Sequence, residues 1–406
     1  MNRRARSDGP GWKVSPPRIA LAIATVVLAG LGLADSAANV IARADPALAH
    51  KLAPWDGTIA ARLAQRQFET TPTADYNAAP VVLARQALLQ EPTAAEALNV
   101  LGLHAQLKND PELTRKIFAH SLQLSRRELP ARLWAVEEAI MRGDIGGALE
   151  QYDIALRTSS DANALLFPIL TRALAEPKVR EKLLSITASN PSWLPAFTDY
   201  IARIRTEPVG AARFFEAREK GGARVDEAHW ASLADALVEA DEYSEGWRIY
   251  ARLRPGSRRD RSREPDFASV PNHPTVFDWT IVDFASLQPG MLEFSVPATL
   301  GGEIARQVQL LPAGTYRLSG RATDVNYQDG APPYWSVTCA DGRELARAEM
   351  AGTEREGRFT AMFTVPSGCP VQTVALTVRP TGAIGGVVGM VSRLRLEPAR
   401  ARARDN

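Results

Sequence analysis

The chain has 406 residues, 45% hydrophobic and 23% charged, which at about 150 residues per domain predicts two or three ordinary globular domains. Its 48 basic and 46 acidic side chains leave a net charge of +2, which excludes a dedicated nucleic-acid binder. Two cysteines and five scattered histidines (His50, His104, His120, His229, His273) exclude a disulfide-stapled miniature fold and a cysteine-rich zinc module.

Residues 1–18 set Arg3, Arg4, Arg6, Lys13 and Arg18 against the single acid Asp8, and Ile19 to Ala34 then runs without charge. A basic flank ahead of an apolar run stays cytoplasmic and directs the chain beyond that run across the membrane. The uncharged run falls short of the ~20 residues that span a bilayer comfortably, and Ser36-Ala37-Ala38 satisfies the small-residue rule for signal cleavage. Helix-compatible residues nevertheless continue to Ala44 with no proline or glycine. The expectation is therefore a basic cytoplasmic tail (1–18) and a single-pass inner-membrane anchor (19–41), with the bulk of the chain in the periplasm. The alternative is a cleaved signal peptide and a secreted or periplasmic product.

Residues 45–254 are rich in Ala, Leu, Arg and Glu, with helical apolar spacing and a 34-residue period. Thr114 and Ala148, Phe118 and Tyr152, and Ser121 and Ala155 are each 34 apart, and Ala84 and Ala87 precede Phe118 and Ser121 by the same step. Small residues let two helices approach while a large one plugs the gap to the next pair. The pattern Leu98-x-x-Leu101-Gly102-x-x-Ala105, then Phe118 and Ser121, resembles the tetratricopeptide-repeat family. Trp230, Leu233, Ala234, Leu237, Gly246, Tyr250 and Leu253 fit it again. Thr114 and Gly246 stand where that family has alanine. Tyr250 follows Tyr152 by 98 residues, not 102, so about one helical turn is lost in a middle region holding Pro168, Pro177, Pro191, Pro195 and Pro208. The resemblance implies a scaffold that holds a protein partner; a structural spacer is the bland alternative. Trp134, Trp193, Trp230 and Trp247 are expected to be core plugs.

Residues 255–275, with prolines at 255, 265, 271 and 274, read as a Pro/Arg-rich linker; Asp260, Glu264 and Asp266 break up Arg254, Arg258, Arg259, Arg261 and Arg263, which points to a solvated segment. From 276 to 398 the apolar period becomes two, in short runs such as Leu292-Phe294-Val296 and Phe359-Ala361-Phe363-Val365, parted by Pro/Gly turns. This predicts an antiparallel β-sandwich. The order of elements, with Pro312-Ala313-Gly314-Thr315-Tyr316 near the middle and a closing hydrophobic strand, resembles jelly-roll carbohydrate-binding modules. The fold class is thus multidomain α plus β: one transmembrane helix, a tetratricopeptide-like solenoid and a jelly-roll-like sandwich, followed by a disordered basic tail (399–406).

Cys339 and Cys369 both lie beside turns of the sandwich and outside the cytoplasm on either reading of the N-terminus, so a disulfide between them is expected. Sugars are held by an aromatic face plus planar polar groups that read hydroxyls. Asp324, Asn326, Tyr327 and Asp329 gather such groups in a loop, with Tyr334 just beyond, and these five are the candidate ligand residues. Trp335 and Trp279 alternate with core positions and belong inside. The spacing of Asp324, Asn326 and Asp329 matches no closed calcium loop. No phosphate-binding, dinucleotide or nucleophile-elbow motif occurs, so no cofactor, metal or catalytic residue is expected.

The order anchor, helical repeats, jelly-roll-like domain resembles proteins of exopolysaccharide systems. That resemblance implies a non-enzymatic, membrane-anchored periplasmic scaffold or adaptor in polysaccharide assembly or export, with a protein partner on the repeats, a glycan or subunit on the sandwich and no nucleic acid. The alternatives are a glycan-active enzyme with its site between the two domains, and a structural spacer.

Overall fold

A computed structural model describes residues 16–327, 331–352, 357–381 and 385–399, with side chains from Ile19 onward. Fourteen helices precede ten strands among these residues, and the chain divides into two compact units, residues 1–166 and 167–406.

The first unit opens with α1 (Pro16–Ile41), whose stretch Ile19–Ile41 is long and apolar enough to cross a membrane. Its C-terminal end is packed: Ala38 and Ala42 are buried against Ala49 and Ala53 around α2 (Pro46–Leu52) and Ile59 of α3 (Gly57–Thr70). Three helix pairs come next: α3 with α4 (Ala79–Gln90), α5 (Ala95–Leu107) with α6 (Pro111–Leu124), and α7 (Leu129–Met141) with α8 (Ile145–Thr158). Aspartates start many of these helices. Asp45, Asp56, Asp110 and Asp144 each accept a hydrogen bond from an otherwise unsatisfied first-turn N–H. Gly102 sets the close approach of α5 to α6, since a Cβ there would lie 2.6 Å from the Phe118 ring. Asn99, fully buried, accepts from Ser121 at 3.1 Å and donates to Glu128 at 2.6 Å, tying one pair to the next. Burial and the neighbouring Glu96 push the Glu128 carboxyl above its usual range.

The second unit holds the end of α9 (Asp161–Ala173), then α10 (Pro177–Thr187), α11 (Leu194–Arg203), α12 (Pro208–Lys220), α13 (Glu227–Glu239) and α14 (Tyr243–Leu253). Here the 34-residue step fails and aromatic packing takes over. Phe167 meets Phe197 at 5.2 Å, Trp193 meets Phe197 at 5.7 Å and Phe215 meets Trp230 at 5.5 Å. These edge-to-face contacts knit the irregular helices into one core.

The sandwich consists of two five-stranded antiparallel sheets. Sheet A has the order β1 (Thr280–Ile281), β4 (Gly302–Gln309), β9 (Gln372–Val378), β6 (Tyr334–Cys339), β7 (Glu344–Glu349). Sheet B has the order β2 (Ala285–Gln288), β3 (Met291–Val296), β10 (Val387–Pro398), β5 (Gly314–Asn326), β8 (Gly357–Val365). The eight strands β3 to β10 divide between the sheets as 3-10-5-8 and 4-9-6-7, the interlocked Greek keys of a jelly roll. Trp335, Trp279, Leu292, Phe294, Leu318, Val374, Leu376 and Val391 fill the interior. A disulfide joins Cys339 at the end of β6 to Cys369 in the turn before β9, with Cα atoms 5.6 Å apart.

The segment between α14 and β1 departs from the solvated linker its composition predicts. Ser262 N–H donates to Leu396 O at 3.0 Å, Leu396 N–H donates to Ser262 Oγ at 3.0 Å, and Leu394 N–H donates to Pro265 O at 2.7 Å. Residues 262–265 therefore line the edge of β10 beyond the point where β3 stops. Phe267 is buried against Trp279, with ring centroids 5.3 Å apart, and the Trp279 indole N–H donates to Glu264 O. Composition misleads here because the charged side chains find partners within the fold.

Candidate ligand-binding surface

Asp324, Asn326 and Tyr327 sit at the end of β5, in sheet B. Val388 faces Asn326 and Met390 faces Thr323, so Asp324 and Val325 together oppose Gly389. This is a β-bulge, and Asp324 takes it with φ 52°, a left-handed conformation that aspartate tolerates. Asp324 and Asn326 are exposed. Tyr327 is half-buried against the core, and its hydroxyl accepts from Gly352 N–H at 3.3 Å. Asp329 lies outside the described residues.

Tyr334 stands apart from these three, on the opposite sheet. It begins β6, pairs with Thr377 and Glu349, and alternates with the buried Trp335. The Arg347 guanidinium lies 4.2 Å from its ring centroid and that of Arg379 4.8 Å, so cations already occupy positions from which a sugar ring would stack. Arg347 is in turn gripped by Glu344 at 2.7 and 3.0 Å. The structure thus separates the four described candidates onto two sheets instead of assembling one loop site.

A different surface assembles on the outer face of sheet B. Along β5, Tyr316, Leu318, Gly320 and Ala322 point inward, which turns Arg317, Ser319 and Arg321 outward. Register then aligns residues from three strands. Arg393, Arg321 and Arg358 form one row across β10, β5 and β8; Arg395, Ser319 and Thr360 form the next; Glu397, Arg317 and Met362 the third. A groove of about 380 Å³ runs over these rows. Gly320 lets the strands lie close beneath it, because a Cβ there would fall 2.1 Å from the Phe359 ring and 2.7 Å from Arg393 O. Arg317 is paired with Glu397 at 2.7 Å, which with Arg395 and Arg261 holds the Glu397 carboxyl below its usual range. Asp266 faces Arg393 and, at 3.9 Å, Arg395. The sequence shows Arg317, Ser319 and Arg321 alternating with apolar residues, yet only the cross-strand register brings Arg358, Arg393 and Arg395 beside them.

The other polar concentration joins α13 and α14 to the sandwich. Trp247 and Tyr250 of α14 pack on Phe277, Leu310 and Val371. Arg263 is buried among them, 5.5 Å from the Trp247 ring, and donates to Phe277 O at 2.9 and 3.0 Å, to Gln309 Oε1 at 2.7 Å and to Val308 O. Burial pushes its guanidinium down to about 10. Asp278, also buried, accepts from Tyr250 OH at 2.9 Å, from Thr275 N–H at 2.9 Å and from Thr275 Oγ1 at 3.2 Å. Burial and the Asp278 charge raise the Tyr250 hydroxyl to about 12. Asp235 of α13 accepts from Val276 N–H at 2.8 Å, and burial pushes its carboxyl up to about 6. A raised carboxyl pKa marks a candidate acid–base catalyst, but the Asp235 carboxylate is occupied in fastening α13 to the Thr275–Asp278 turn.

No family model matches the chain, and no curated protein sequence matches it. Several solved structures are similar in part. The enzymatically active domain of bacteriophage CBA120 tailspike protein 4 aligns with a TM-score of 0.23 at 14% identity, over 31% of this chain and 20% of its own. A CBM4 structure aligns at 0.26 and 14% identity, over 35% of this chain and 99% of its own. Pseudomonas aeruginosa PilF aligns at 0.22 and 14% identity, over 49% of this chain and 93% of its own.

Proposed function

We propose that the chain is a non-enzymatic, membrane-anchored adaptor in which the jelly roll holds a glycan and the helical pairs hold a protein partner. The observation that carries the glycan assignment is the groove on the outer face of sheet B. Its floor is built from the hydroxyls of Ser319 and Thr360 and its walls from guanidinium groups, side chains that read sugar hydroxyls and their substituents through directed hydrogen bonds. Asp235 and Glu128, whose carboxyl pKa burial raises, are engaged in structural contacts, which favours binding over glycan hydrolysis.

Retention of the anchor is supported by α1 itself. The small residues that would satisfy a signal peptidase, Ser36-Ala37-Ala38, lie within the continuous helix, and Ala38 has no exposed surface. Cutting there would divide a packed contact. The role in polysaccharide assembly or export, in the periplasm, rests on the resemblance of the domain order to exopolysaccharide proteins.

The test is affinity electrophoresis of the full chain in detergent through gels containing the producing organism's extracellular polysaccharide. Retardation is expected. Substitution of Tyr334 or Tyr327 by alanine separates the two surfaces: a groove on sheet B predicts unchanged retardation, whereas recognition at the β5–β6 corner predicts its loss. Absence of retardation for the unsubstituted chain would overturn the glycan assignment.

A further inference from the structure

We propose that the edge of the first unit at which α2 and α4 end is seated on the membrane surface, with Leu52, Trp55 and Leu89 buried in the headgroup layer of a phospholipid bilayer. This rests on the reading of α1 as a retained anchor and adds to it a second, peripheral contact with lipid.

Residues 42–45 are the whole connection between α1 and α2, and Ala38 and Ala42 share one buried cluster with Ala49 and Ala53. Such a short connection makes antiparallel neighbours, so α2 runs back along the end of α1. Its last turn returns to about the level of Asp35 and Ser36, where the uncharged run Ile19–Ala34 stops. At about 1.5 Å per residue that run measures about 24 Å, roughly 6 Å less than the ~30 Å hydrocarbon core of a bilayer. The exposed side of α2 continues it: Leu48 and Leu52 lie one turn apart on the same side of the helix, and Trp55 follows three residues later. One turn adds about 5.4 Å, which makes up the deficit on this side of the anchor.

Backbone hydrogen bonds hold this edge in shape. Ala53 N–H donates to Ala49 O at 3.0 Å, Asp56 N–H donates to Ala53 O at 3.2 Å, and the Asp56 carboxylate caps α3 by accepting from Thr58 N–H at 2.8 Å. The end of α4 lies beside it: Gln90 Nε2 donates to Pro54 O at 3.3 Å, and a Cβ on Gly57 would fall 2.7 Å from Ala87 O. Leu89, next to Gln90, is 86% exposed, more than any other large apolar side chain among the described residues, and Trp55 is 48% exposed. An indole suits the headgroup depth because its ring is apolar while its N–H finds a polar partner there, and the leucines reach the acyl boundary. Charge does not drive the contact. Between residues 35 and 56 the charged side chains are Arg43 and Lys51 against Asp35, Asp45 and Asp56, with His50 half-buried, and Glu91 follows α4. That balance is net negative, so anionic lipid is not attracted and apolar burial supplies the adhesion.

The experiment reconstitutes the full chain into phosphatidylcholine vesicles and first scores flotation with them. Trp55 is isolated among the eight tryptophans as the fluorescence difference between the parent and Trp55→Phe. In vesicles whose acyl chains are brominated near the headgroup, most of that difference is expected to be quenched. Both cysteines are held in the disulfide, so a cysteine introduced by Leu89→Cys takes a fluorescent label alone. In vesicles that label should lose most of its quenching by aqueous iodide, whereas a label on Met141→Cys, 76% exposed at the end of α7, should keep it. All three substitutions fall on exposed side chains, and thermal melting verifies that each variant folds. A chain that floats while the Trp55 signal stays unquenched, or while Leu89→Cys stays as open to iodide as Met141→Cys, overturns the proposal and leaves the anchor standing. Quenching and protection that appear only when phosphatidylglycerol is added overturn it in favour of charge attraction. A chain that does not float removes the anchor and this contact together.

Discussion

Arg263 shows how a charge is accommodated in the joint between α14 and the sandwich. Its donors are met by amide oxygens of Phe277, Val308 and Gln309, and three aromatic rings lie within 6 Å of its guanidinium carbon. With its pKa lowered by burial to about 10 it stays charged at neutral pH, so the joint encloses a permanent cation next to Asp278. Asp235 behaves in the opposite way. Its carboxyl titrates near 6 in the fold and near 3.8 when the chain is unfolded. As pH rises from about 4 to 6 the unfolded chain releases this proton first, so stability falls across that window and then levels off. Asp235→Asn keeps an acceptor for Val276 N–H and removes the charge. It is expected to raise unfolding stability by about 1–3 kcal/mol at pH 7.5 and to change it little at pH 4. Denaturant titrations of both proteins at the two pH values check this, and an equal shift at both would show that the charge is not the cause.

At the scale of single elements, the disulfide closes a loop with a sequence separation of 30 between β6 and the turn before β9. Loop entropy alone makes its removal cost about 3–4 kcal/mol. Reduction should therefore lower the unfolding midpoint of the sandwich, and an unchanged midpoint would show that the interior holds these strands without it. The elements also differ in how far the sequence reveals them. The pairs α5–α6 and α7–α8 are legible because Thr114 and Ala148, Phe118 and Tyr152, and Ser121 and Ala155 recur at a spacing that is itself the packing rule. The jelly-roll strands are legible because their inward faces alternate. Residues 262–265 are not, since the carbonyl and amide groups they bond belong to Leu394 and Leu396, some 130 positions away. The arginine row is hidden for the same reason: each strand shows outward arginines, but a one-residue slip in register would disperse them.

For the molecule as a whole, the apolar helix α1 and the first helix pairs are continuous, since Ala38 near its end and Ala42 just after it pack onto α2 and α3. The intact mass of protein extracted from membranes is expected to include residues 1–38. A mature product beginning after Ala38 would show that α1 is removed and that Ala49, Ala53 and Ile59 lose their cover. The near balance of 48 basic and 46 acidic side chains means that the arginine surface is a local concentration on a nearly neutral chain.

The bonds from Ser262 and Pro265 to Leu394 and Leu396 also impose an order of events during synthesis. The helices are complete by residue 253, but the segment after them cannot find its partner until β10, the last strand, has been made. At about 5–20 residues per second, that leaves the edge unpaired for several seconds or more while over a hundred residues are added. The pairing of Ser262 and Pro265 with β10 is then a late step, governed by a contact of high sequence separation rather than by the helices that precede it. A nascent chain stopped within β10 would carry finished helices and an unsealed sandwich, and would be the species most in need of a chaperone.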